Sequence, residues 1–168
     1  MKHLLIIAFL ASSFVGFAQA KRKADKDTKI WRYELEAAGE GNDGTYLVKV
    51  WSYSKKPDVA IEQAKKNAVH GVVFQGIPAA GRFSSQPPIA RTPGLENEKA
   101  DFFDAFFDDG GAYMKYVAVS NDGSVDGDDR LKVGKEYKIG VVVSVRKDLL
   151  KKDLQAQGIV QGLSSGFE

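Results

Sequence analysis

The sequence predicts an α+β domain: a four-stranded antiparallel sheet with helices packed on one face, in the order β-β-α-loop-α-β-β-α. Three observations carry this reading. Residues 28–38 and 45–54 alternate with period two, and the Gly/Asn/Asp-rich link between them is short enough to require a hairpin. Between 57 and 74 the apolar spacing changes to that of a helix. Residues 135–148 then place Tyr137, Ile139, Val141, Val143 and Val145 on one side of a strand. Strands that come in runs, separated by helices, favour α+β architecture over a parallel doubly wound sheet.

In the first strand Trp31, Tyr33, Leu35 and Ala37 oppose Ile30, Arg32, Glu34 and Glu36. The turn at 39–44 holds Gly, Asn and Asp, which tolerate positive φ. In the second strand Leu47, Trp51 and Tyr53 alternate with Tyr46, Val48 and Val50. Pro57 suits the first position of the following helix, and Asp58 and Glu62 lie near its positive end. Ala60, Ala64 and Ala68 form a small-residue stripe that lets the helix backbone approach the sheet, with Lys65, Lys66 and Asn67 expected in solvent and Glu62 expected to face Lys66. Residues 76–95 are rich in Gly, Pro and Ser and aperiodic. Loops this long in a small domain are commonly functional, so Arg82, Phe83, Gln86, Pro87, Pro88, Ile89 and Arg91 are the candidate partner-binding residues.

A second helix is expected over 96–111, with Phe102, Phe103, Phe106 and Phe107 on its apolar face and Asp101, Asp104 and Asp108 opposite. A third strand follows at 112–120, a polar turn at 121–130, the valine-rich strand, and a last helix over 149–157 stopped by Gly158. The domain is therefore placed at 29–158, with a tail at 159–168.

The first twenty residues have a basic start, 14 apolar-rich residues from Leu4 to Phe17, and the pattern Ala18-Gln19-Ala20. This is the layout of a cleaved export signal, and the apolar stretch is shorter than the roughly 20 residues a bilayer needs. The product is expected in the periplasm or secreted, without stable membrane insertion, and headed by a disordered basic segment at 21–28. Loss of Lys2 leaves 23 basic against 22 acidic residues, a balance that argues against nucleic acid as a partner. The chain has no cysteine and no Gly-rich phosphate-binding motif. With His70 as the only histidine outside the first three residues, no site needing two His ligands from one mature chain can form. No cofactor is expected.

His70 could serve as a general base, but Lys66 and Asn67 at helical spacing orient an imidazole poorly, so a structural role is favoured. A small hydrolase using His70 or clustered aspartates such as Asp108 and Asp109 is the alternative. Asp122, Ser124, Asp126, Gly127 and Asp128 imitate the start of a calcium loop, yet Val133 stands where the bidentate Glu belongs, and a hairpin turn is favoured over a calcium-dependent module.

The Ala60-Ala64-Ala68 helix, the Tyr137-Ile139-Val141-Val143-Val145 strand and the Leu149-Leu150-Leu154 helix together resemble the LPP20 lipoprotein and flagellar-assembly-T N-terminal type of exported domain. The resemblance spans residues 46–154. It implies a non-enzymatic envelope component that works by protein–protein contact, and it carries no catalytic residues; an envelope protein is the expected partner, with a homo-oligomer as a further option. The chain departs from the family in lacking a lipid-accepting cysteine and in having the Pro/Gly loop. It is also similar to short exported proteins of Bacteroidota-type Gram-negative bacteria, a likeness that implies export and no particular activity.

Overall fold

The computed structural model describes residues 31–120 and 124–161. The export signal, the basic segment at 21–28, residues 121–123 of the polar turn and most of the C-terminal tail lie outside them.

Strand β1 (Tyr33–Glu40) and strand β2 (Thr45–Ser54) form the expected antiparallel hairpin. Asp43 and Gly44 adopt φ of 54° and 69° at its turn, as the composition requires. Helix α1 (Pro57–Phe74) follows, then two short helices, α2 (Leu95–Glu98) and α3 (Ala100–Phe106). Next come a 3-10 turn (Ala112–Tyr116), strand β3 (Val117–Val119), a second 3-10 turn (Gly127–Asp129), strand β4 (Arg130–Val133), strand β5 (Glu136–Arg146) and helix α4 (Lys147–Ala156). The fold class is the predicted α+β, with an antiparallel sheet.

Among the described residues the sheet has five strands rather than four. Its order is β1-β2-β5-β3, and β4 pairs with β5 as well. β5 meets β2 along its length, from Thr45↔Arg146 to Ser54↔Tyr137. On its other edge the C-terminal part pairs with β3 and the N-terminal part with β4. The extra strand arises where a polar turn was expected to run straight into β5. The stretch predicted as a full strand over 112–120 is mostly 3-10 turn, because Tyr113 and Tyr116 are three residues apart and both are buried. The helix predicted over 96–111 breaks at Lys99 into α2 and α3.

The core lies between the sheet and α1. Val48 and Val50 of β2 and Ile139, Val141, Val143 and Val145 of β5 face Ala60, Ala64, Ala68, Val69, Val72 and Val73. Leu150 and Leu154 of α4 are in the same cluster. Small residues do let the helix sit close: a Cβ at Gly71 would come 2.2 Å from Leu35 Cδ1. The close approach also buries Lys66 and Asn67, which the periodicity assigns to solvent. Glu62 pairs with Lys65 at 3.0 Å rather than with Lys66. Packing continues past α4, where Ile159 N–H bonds to the Leu154 carbonyl and Val160 is buried.

A polar seam crosses this core. Asn67 Nδ2 donates to Ser52 Oγ at 2.9 Å, both residues being buried. Ser52→Ala is expected to leave that amide donor without its acceptor and to lower stability by about 1–2 kcal/mol, read from urea denaturation midpoints. The opposite face of the sheet carries Trp51, which lies against Gly140 and donates to Glu36, and Tyr53, which donates to Glu34. Hydrogen bonds from Lys138 and Tyr53 hold the Glu34 carboxyl below its ordinary range.

Candidate functional site: an aromatic and acidic groove beside His70

β1 begins next to the C-terminal half of α1, and this brings Trp31 and Tyr33 against His70. The Trp31 and imidazole rings are stacked, 3.6 Å between centroids and 20° between planes. Phe74 and Phe107 flank the imidazole at 4.8 and 5.7 Å. The break at Lys99 lets α2 place Glu96 over the same point. Tyr33 Oη lies 2.5 Å from Nδ1 and Glu96 Oε1 lies 3.0 Å from Nε2. Trp31 Nε1 donates to that same carboxylate oxygen at 2.9 Å.

Burial, reinforced by the charge of Glu96, raises the Tyr33 pKa, so the phenol keeps its proton. The hydrogen-bond directions follow: Tyr33 O–H donates to Nδ1, and Nε2–H donates to Glu96. Burial also pushes the imidazole pKa down to about 4, against the opposing pull of Glu96, so His70 is neutral at pH 7. Both nitrogens are engaged and the ring is 4% exposed. A general base needs a free nitrogen within hydrogen-bond reach of a substrate proton, and here that capacity is used inside the protein. The network instead joins three elements distant in sequence, β1, α1 and α2.

The outer wall of this network faces an open groove of about 970 Å³. Trp31, Phe103 and Phe107 form its aromatic floor, the two phenylalanines being buried. Glu96, whose side chain is 36% exposed, and Asp101, Asp104 and Asp108 line the rim. Residues 101, 104 and 108 recur at the spacing of one helical face. Lys66 lines the groove as well. Among the described residues no group of three His, Asp or Glu side chains is placed to hold a metal ion. Asp129, next to the residues that imitate a calcium loop, pairs with Lys49, while Asp122 lies outside the described residues.

The loop residues are only partly gathered at this place. A second groove of about 630 Å³ shares Glu96 and Asn97 with the first and is lined by Pro87, Pro88 and Arg91. Pro87 accepts a hydrogen bond from Lys147 at 2.8 Å, and burial lowers that lysine's pKa. Ile89 is buried, its N–H donating to the Val72 carbonyl. Gln86 exchanges two 2.8 Å backbone bonds with Ile77. Arg82 packs its guanidinium 5.2 Å from the Phe83 ring at the loop tip; neither residue lines either of these two grooves. Sequence reasoning passed over Trp31 and Glu96 as site residues. The three aspartates were visible as one helix face, the signal that could have marked the rim.

No helix among the described residues is long and apolar enough to cross a membrane. Compared with known proteins, the chain matches no family model, no curated protein and no solved structure.

Proposed function

We propose that this protein is an exported, non-enzymatic binding or assembly component of the cell envelope, acting by protein–protein contact in the periplasm or after secretion. The observation that carries the reading is the groove: an aromatic floor under a carboxylate rim is recognition chemistry for cationic side chains on a peptide. Ammonium and guanidinium groups are attracted both to the carboxylates and to exposed indole faces. Each exposed ion pair contributes only about 0.2–1 kcal/mol, so affinity comes from several pairs acting together with burial on the floor. The leader-like N-terminus and the resemblance to exported contact domains support the location and the mode of action. The adjoining groove at Pro87, Pro88 and Arg91 extends the surface toward the loop.

The test is site-specific photo-crosslinking in envelope fractions. A photoreactive side chain at Asp104 is expected to capture a defined partner, and one at Lys132 on β4 is not. Equal labelling from both positions, or none from Asp104, removes the groove from the account.

A further inference from the structure

We propose that the groove is occupied in the free protein by the chain's own basic segment, residues 21–29, so that a partner must displace it. The inference rests on the reading of the groove as a peptide-recognition surface and adds a built-in competitor to it. Two observations name this occupant. The first is charge. The segment holds Lys21, Arg22, Lys23, Lys26 and Lys29 with only Asp25 and Asp27 between them, and the groove rim offers Glu96, Asp101, Asp104 and Asp108.

The second is tethering. Trp31 is itself part of the groove floor, so Lys29 is two residues from it along the chain. The aspartates span seven residues of helix and its end, on the order of 10 Å at 1.5 Å per residue. Nine extended residues reach roughly 30 Å, so the segment covers the rim with length to spare. A short tether holds its cations near the rim at an effective concentration of order mM, which a weak set of surface ion pairs can use.

A further feature lies on α1 itself. Gln63, Lys66, Asn67 and His70 follow one another at helical spacing on α1, with Lys66 at the groove and His70 under Trp31. Gln63 Oε1 and Asn67 Oδ1 are buried acceptors without a hydrogen-bond donor among the described residues.

The chain's lack of cysteine makes a clean test possible. In the full chain, Lys26→Cys is combined with Asp104→Cys, or with Glu36→Cys on the opposite sheet face as a control. Intramolecular disulfide is expected to form about tenfold faster in the groove pair than in the control, reflecting local concentration. That advantage is expected to shrink in 1 M salt, where screening acts within about 3 Å. Equal rates in the two pairs overturn the proposal. So does a groove pair that yields only intermolecular dimers, since a second copy would then supply the occupant. Circular dichroism of both double variants confirms that each is folded before rates are compared. Failure here leaves partner capture from Asp104 untouched, whereas failure of that capture with a fast groove disulfide removes the partner and keeps the segment.

Discussion

Gly76→Ala is expected to lower stability by about 2–4 kcal/mol, the sum of a left-handed backbone penalty and an overpacking term. Gly76 has φ of 80° and closes the end of α1, its N–H bonding to the Gly71 carbonyl at 2.8 Å. A Cβ there would lie 2.5 Å from the Gln86 carbonyl oxygen and 3.0 Å from Pro88 N. Both obstacles are backbone or ring atoms, so relief requires the returning loop to move. The same loop supplies the Ile89 and Ala90 N–H groups that satisfy the Val72 and Val73 carbonyls at the helix end. Displacing it breaks both of these bonds. Gly81→Ala is the control: φ is 56° and nothing lies within 4 Å, so only the backbone term of about 1–2 kcal/mol remains. Guanidinium denaturation of the two variants measures the difference, and equal losses would show that the loop yields freely.

His70→Ala is expected to cost about 3–5 kcal/mol, because it opens a cavity among Trp31, Phe74 and Phe107 and strips the buried Tyr33 hydroxyl of its acceptor. Part of that loss is recovered in the His70→Ala, Tyr33→Phe double variant, where no hydroxyl is left unpaired. The titration of His70 gives a second readout. Its folded pKa of about 4 lies below the ordinary 6.5, so the unfolded chain binds the proton first. Stability from this group is complete above pH 6.5 and is lost as pH falls toward 4. Between pH 7 and 5 the loss is on the order of 2 kcal/mol at 1.36 kcal/mol per unit. His70→Gln, which keeps a donor and an acceptor, is expected to flatten that part of the curve. A wild-type curve already flat from 7 to 5 would mean that the imidazole charges within the fold.

Period-two and small-residue patterns were legible because each is imposed locally by the pleat or by helix packing. The face of β5 and the Ala60-Ala64-Ala68 stripe both came from such patterns. β2 was harder, since both of its faces carry bulky residues. Trp51 and Tyr53 sit on the side away from α1, steadied there by Glu36, Glu34 and nearby lysines. The break at Lys99 leaves no mark in composition, which reads as one continuous helix. The site itself is assembled from Trp31, His70 and Glu96, the first and last 65 positions apart, and no local pattern encodes such a meeting. What the chain did display was the material: one histidine, an aromatic start to β1, and aspartates along one face of α3.

The full-length pairing of β2 with β5 governs when this protein can fold. Thr45 meets Arg146, about 100 residues later, so the central seam of the sheet is a long-range contact of the kind that slows folding. A chain delivered from its N-terminus can close the β1–β2 hairpin and coil α1 early. The inner edge of β2 nevertheless stays open, its backbone N–H and C=O groups unpaired, until residues 136–146 arrive. During synthesis the growing chain is thus a two-stranded ribbon with one adhesive edge. Its freedom from aggregation depends on how quickly the last quarter of the chain follows, or on what shields that edge meanwhile.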